Sequence, residues 1–251
     1  MKTPDGWNYA YVDEIDGTNA ALKRDPADMK ILRAGVQTAG RGRLTRVWSS
    51  PLGNLYTSLC FKVENARAAA GFSFVTAIAL CEALSALDGK SAYLCKWPND
   101  VLADGAKISG ILLELIEQGG ARYLIVGIGV NVESYPQVTG VLYRATSLRR
   151  QGCEASCDAL AETLYERFDS WKKRYENDGL AVVLARWTDL ARGIGEQITV
   201  SLADRRMTGI FSGLDKDGAL LLNADGNTVR VTAGDVFFGD NEERKDKGNA
   251  I

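Results

Sequence analysis

Histidine is missing from all 251 residues. Its absence excludes Ser-His and Cys-His nucleophilic catalysis and the usual His-containing zinc sites, so any chemistry must run on positioning and charge stabilisation. Cysteine is sparse and odd in number, at five, and Cys60, Cys81 and Cys95 fall in apolar segments where the residue behaves as a small buried hydrophobe. A reducing compartment fits. Cys153 and Cys157 have no histidine to complete a mixed site, so no metal ligands are expected. Neither sign of charge is in excess: 30 Lys+Arg against 32 Asp+Glu gives a formal net charge of -2. Nucleic acid is therefore not an expected partner. No apolar run approaches the ~20 residues of a membrane span, and residues 1–10 lack the apolar core of a signal peptide. The expectation is a cytoplasmic protein with no membrane partner.

What is present is 46% apolar residues, enough for one sizeable core and a small second domain. Apolar or alternating β-rich runs bounded by turn residues occur at 7–15, 30–36, 54–62, 92–96, 107–116 and 122–132. Helical spacing appears at 66–87, at 158–175 behind an expected Asp158 N-cap, and at 180–191. After Gly193 the rhythm changes to four or five short strands separated by turns at 203–204, 215–218 and 225–227. The expected fold class is α+β: a mixed β-sheet covered by helices over residues 1–192, then a small β-barrel over 193–239. Residues 240–251, charged and without apolar periodicity, are expected to be a disordered tail.

The segment 37–48, Q-T-A-G-R-G-R-L-T-R-V-W, has no helical or strand periodicity. Gly40 and Gly42 let backbone N–H groups turn inward, and Arg41, Arg43 and Arg46 supply planar cationic forks suited to carboxylate or phosphate oxygens. Either an anion-holding loop or a solvated surface loop satisfies that pattern. K-W-P-N-D at 96–100 reads as a strand end and sharp corner, with Asn99 and Asp100 beside the next strand. In D-G-A-K-I-S-G-I-L-L-E, residues 104–114, Lys107 starts a strand and Gly110 gives room for a ligand against it. G-I-G-V-N at 127–131 places Gly127 and Gly129 on one strand face before Asn131. Those glycines admit either a ligand or close packing of the long helix. D-E-I-D-G-T-N, residues 13–19, ends the first strand and caps a short helix through Thr18 or Asn19.

In this order the five segments resemble the biotin protein ligases, whose catalytic domain carries S-T-N, Q-x-x-G-R-G-R with a following Trp, K-W-P-N-D, K-x-x-G-I-L-x-E and G-x-G-x-N. The terminal segment, with A-G-D-V at 233–236, resembles the same family's carboxyl-terminal domain. The amino-terminal winged helix of the repressor members has no counterpart, so the ligase-only form without operator binding is expected. The resemblance implies that the biotin carboxylate attacks the α-phosphorus of ATP and that a lysine of a biotin carboxyl carrier domain then takes biotin from the adenylate. ATP, Mg²⁺ and biotin are the implied cofactors and substrates, and a homodimer through an exposed sheet edge is a further implication. Gly17, Thr18, Asn19, Gln37, Lys107, Gly110 and the backbone from Gly40 through Arg43 would hold biotin. Lys107 would meet the carboxylate and α-phosphate, with Arg41 and Arg43 ordering over the adenylate. Trp48 would stack on adenine, and Asn99, Asp100 and Asn131 would position nucleotide, magnesium or the incoming lysine. The loop over 38–50 is expected to be mobile without ligand.

Two positions depart from the family pattern. Gly17 stands where S-T-N has serine, deleting a hydroxyl, and Leu44-Thr45 stands where a glycine commonly follows the second arginine. A lipoate or octanoate ligase of the same fold is the alternative enzyme, but its R-R-x-x-G-G-G signature is missing. A non-catalytic biotin or nucleotide sensor is the alternative of another class, and Lys107, Arg41 and Arg43 argue against it.

Overall fold

The computed structural model describes residues 1–44, 46–136, 144–202 and 204–239. Thr45, the Ala203 half of the expected 203–204 turn, and the tail expected over 240–251 lie outside the described residues.

The chain begins with β1 (Asn8–Ile15), crosses over through α1 (Thr18–Arg24) and returns in β2 (Lys30–Gln37), parallel to β1. Then come β3 (Leu55–Lys62), α2 (Ala66–Asp88), β4 (Tyr93–Lys96), β5 (Asp100–Ala103), β6 (Ala106–Gln118) and β7 (Ala121–Val130). These strands form one seven-stranded mixed sheet in the order β1-β2-β3-β7-β6-β5-β4. Two faces follow from strand alternation. Ile31, Leu59, Leu124 and Val126 pack with α2 in the main core, whereas Leu32, Cys60 and Ile125 form a smaller cluster with Leu22 of α1. α2 is capped by Asn65, whose side chain accepts from Ala68 N at 2.9 Å, and ends at Gly89 in the left-handed region, where glycine is favoured. Among the described residues it is the one helix long and apolar enough to cross a membrane, and it is mostly buried in the core.

The second face-covering helix is α3 (Cys157–Asp178), followed by α4 (Leu180–Asp189). The N-cap of α3 is Ser156, whose Oγ accepts from Ala159 N at 3.2 Å, and not Asp158. Asp158 lies in the first turn, where it complements the helix dipole, and receives Arg33 Nη1 at 2.5 Å.

The last segment forms β8 (Gln197–Ser201), β9 (Arg206–Leu214), β10 (Leu220–Ala224), β11 (Asn227–Val231) and β12 (Asp235–Phe238). The expected barrel is not closed: the five-stranded sheet runs β11-β10-β9-β8-β12, so β11 and β12 are opposite edges. The reason is where its apolar side goes. Val200, Phe211, Leu220, Leu222, Val236 and Phe238 belong to the same core cluster as α2, so the sheet's apolar side is continuous with the larger core, and among the described residues no β11–β12 pairing seals it off. Trp97 Nε1 adds a hydrogen bond across the junction, to Gly218 O at 3.1 Å.

Candidate active site

A cavity of about 510 Å³ opens on the α1 side of the large sheet. Its floor comes from strand register: Gly129 of β7 lies opposite Gly110 of β6, and Gly110 opposite Asp100 of β5. Added methyl groups there would meet Trp48, at 2.5 Å from Gly129 and 3.0 Å from Gly110. At Gly127 a methyl would lie 2.4 Å from Asn19 Oδ1. Both glycines of G-I-G-V-N therefore admit side chains of this chain on the cavity face; packing against α2, one of the two sequence readings, is wrong because α2 covers the other face.

Lys107 and Gly110 are three residues apart and in a regular strand would point to opposite faces. A bulge reconciles them: Asp100 pairs with Gly110 but Leu102 pairs with Lys107, so β6 spends one more residue than β5 over that interval. Such an inserted residue re-aims a side chain. Lys107 Nζ accordingly lies 2.6 Å from Asp100 Oδ1 and 5.6 Å from the centroid of the Trp48 ring.

Asp100 is buried between two ammonium groups, with Lys96 Nζ 3.4 Å from its Oδ2. Burial alone would raise its pKa, but attraction to Lys107 and then Lys96, with their hydrogen bonds, outweighs it and holds the carboxyl below the ordinary value. Lys96, 3% exposed, goes the other way: burial pushes its pKa down to about 8 despite Asp100. K-W-P-N-D is therefore more than a hairpin corner, since it places a buried cation behind the carboxylate that holds Lys107.

The biotin-side residues named from sequence also meet. Gln37 Oε1 accepts from Thr18 N at 2.9 Å and Thr18 Oγ1 at 3.2 Å, and its Nε2 donates to Ser50 Oγ at 3.0 Å. Asn19 Nδ2 donates to Glu114 Oε2 at 2.9 Å, and Glu114 Oε1 receives Lys23 Nζ at 2.7 Å. Gly17 is the N-cap of α1 and caps nothing with a side chain.

The arginine loop folds back on itself across the cavity. Arg41 bridges Val47, Gly42 N donates to Arg46 O at 2.8 Å, and Trp48 N donates to Gly40 O at 3.0 Å. Arg41, Gly42, Arg43 and Trp48 line the cavity, but Gly40 does not. Gly40 serves the crossing of the chain, since a methyl there would sit 2.4 Å from Trp48 O. Arg43 Nη1 donates to Asn99 Oδ1 at 3.1 Å, while Asn99 Nδ2 donates to Ile111 O at 2.7 Å. The Trp48 indole N–H is buried without a partner. Asn131, 4% exposed, reaches the cavity wall but donates to Thr146 O at 2.9 Å and so also fastens the neighbouring segment.

Two participants, Lys96 and Asp235, were not singled out from sequence, and the partner of Arg46 was not foreseen. Lys96 sat in a quoted motif, but strand-end lysines are usually solvated. Arg46 and Asp235 line the cavity and pair with each other, though they are 189 positions apart.

The model of the Biotin/lipoate A/B protein ligase family matches residues 16–131, and that of the Biotin protein ligase C terminal domain matches 193–239. The biotin–[acetyl-CoA-carboxylase] ligase of Paracoccus denitrificans is 38% identical over 234 residues, covering 89% of this chain and 98% of that one. The bifunctional ligase/repressor BirA of Escherichia coli is 35% identical over 229 residues, covering 88% of this chain and 71% of the relative. Among solved structures, the biotin protein ligase of Aquifex aeolicus in complex with biotin and ATP superposes with a TM-score of 0.80 at 27% identity, over 91% of this chain and 97% of that one. The order of motifs, the glycine-floored cavity and the second sheet thus have one explanation: the chain belongs to the biotin protein ligases of the Biotin/lipoate A/B protein ligase family.

Proposed function

We propose that this protein is an ATP-dependent biotin protein ligase that makes biotinyl-5′-AMP and passes biotin to a lysine of a biotin carboxyl carrier domain. The observation that carries the reading is Lys107, re-aimed by the bulge onto the cavity floor and held by Asp100 beneath the Arg41–Arg43 loop. A biotin carboxylate oxygen attacks the α-phosphorus, a C–O–P linkage forms, and pyrophosphate leaves. Next the acceptor amine attacks the anhydride carbonyl carbon; the C–N bond forms, AMP leaves with the C–O electrons, and the nitrogen loses a proton to water. Neither step needs an enzyme nucleophile, which suits a chain without histidine.

Lys107 and the arginines align two anions and stabilise charge growing on phosphate. Gln37, Thr18 and Asn19 present the polar end of the cavity to the ureido ring. Asn99, Asp100 and Asn131 lie where nucleotide meets protein. Magnesium would come with the nucleotide and offset charge on its phosphates. Among the described residues no group of three or more His, Cys, Asp or Glu could hold a metal ion, and Asp100 and Asp235 are both engaged by cations. These residues fit a magnesium ion carried largely by ATP phosphates. The acceptor rests on the relative named for acetyl-CoA carboxylase. In the same reading residues 1–192 form the catalytic unit and 193–239 the second domain.

Mass spectrometry of the products from ATP, magnesium and either biotin, lipoate or octanoate, without acceptor, tests the function. Biotinyl-adenylate alone is expected; an adenylate of lipoate or octanoate would move the chain to the sister activity, and none with biotin bound would make it a sensor.

Gly17→Ser should tighten biotin binding. The Gly17 backbone is extended, which any residue adopts, and a methyl there meets nothing nearer than 3.7 Å, so serine fits without strain. One recovered neutral hydrogen bond is worth roughly 0.5–1.5 kcal/mol, or about two- to ten-fold in Kd. Calorimetric titration giving unchanged or weaker affinity would reject the idea.

A further inference from the structure

Asp235 opens β12, in the second sheet, yet lines the cavity of the first. Its carboxylate receives both terminal nitrogens of Arg46: Nη1 donates to Oδ1 at 3.2 Å and Nη2 to Oδ2. This fork-to-fork geometry fixes orientation as well as attraction. Arg46 sits at the turn of the small hairpin closed by the Arg41–Val47 bridge and the Gly42–Arg46 hydrogen bond, so seating Arg46 seats Arg41, Gly42, Arg43 and Trp48 together. Asp235 has a second target behind the first. It adds to Asp100 in supporting the charge on buried Lys96, which continues the alternation of Asp235, Lys96, Asp100 and Lys107 across β12, β4, β5 and β6.

We infer that Asp235 is a positioning residue of the adenylation site, the latch by which the carboxyl-terminal sheet holds the arginine loop over the cavity. The second sheet is then part of the machinery that closes on the nucleotide, acting through Arg46 and not by touching substrate itself. The inference rests on the ligase reading for its kinetic arm only.

Asp235→Asn keeps the shape and removes the charge. Because a ligand's apparent affinity falls with the population of its competent state, the ATP KM should rise roughly three- to ten-fold while kcat changes less. Trypsin should cut after Arg41 and Arg43 faster by a similar factor with no ligand present, and the urea midpoint should stay that of the wild type. Arg46→Gln should give the same KM, and the double variant should be no worse than either single one, because both remove one interaction. Asp235→Glu should restore part of the effect. Wild-type KM and cleavage in Asp235→Asn, or additive losses in the double variant, would overturn the latch. Absence of adenylate from the wild type would overturn the ligase reading instead, and the cleavage comparison would still decide the latch.

Discussion

Lys107→Ala should lose adenylation by roughly 10²–10³-fold while the protein stays folded. Removing one preorganised donor from a site of developing negative charge costs about 2.7–4 kcal/mol of barrier. Lys107 is well placed for such an effect: its ammonium is held at 2.6 Å by Asp100 and reaches a cavity walled by Trp48 and floored by glycine. Its side chain keeps 26% of its surface exposed, and Asp100 retains Lys96 after the substitution, so the fold loses little. Pyrophosphate release and biotinyl-adenylate by mass spectrometry measure the loss, and a urea melt separates it from unfolding. Lys107→Arg keeps the charge but exchanges a compact ammonium for a planar fork, and should recover only part of the rate. Near-normal adenylation by Lys107→Ala would remove this residue from the chemistry.

The site residues were legible because the motifs are local. Thr18 with Gln37, Arg43 with Asn99, and Lys107 with Asp100 lie in segments that sequence alone singled out, and the sheet brings them together. Four features were hidden for identifiable reasons. The four-residue β5 was too short to show alternation, so the corner at K-W-P-N-D concealed a strand. Period-two reasoning would set Lys107 and Gly110 on opposite faces, and the bulge that reverses this shows only in the pairing. Asp158 and Ser156 both cap helices well, and the choice between them depended on which oxygen reached the Ala159 N–H. A closed barrel and an open sheet share one alternation pattern, and the difference lies in whether the two edge strands pair, which here, among the described residues, they do not. The Arg46–Asp235 contact belongs with these: pairing across 189 positions leaves no local trace.

Asp100→Ala should destabilise the protein by about 3–5 kcal/mol near neutral pH, the cost of stranding a buried charge. The stranded group is Lys96, 3% exposed, whose nearest carboxylate would be gone while the Lys107 ammonium remained. The pH dependence identifies the cause. In the wild type the depressed Lys96 pKa, about 8 against 10.5, means that folding disfavours its proton, a cost present below about 8 that fades as pH rises toward 10.5. Without Asp100 the Lys96 pKa falls further, so in the variant the cost begins to fade at a lower pH. The deficit relative to wild type should therefore narrow as pH rises to about 8 and stay level above it. On the acid side it should narrow again, because wild-type Asp100 has a lowered pKa and loses its contribution as pH falls from 3.8 through its folded value. Removing the lysine as well, in Lys96→Met with Asp100→Ala, replaces the pair by apolar groups and should return most of the stability. Urea midpoints of the three proteins at pH 3, 5.5, 7 and 8.5 measure all of this. A deficit below about 1 kcal/mol, or one that ignores pH, would mean that the buried ammonium is neutral in the wild type, and Asp100 would then hold Lys107 alone.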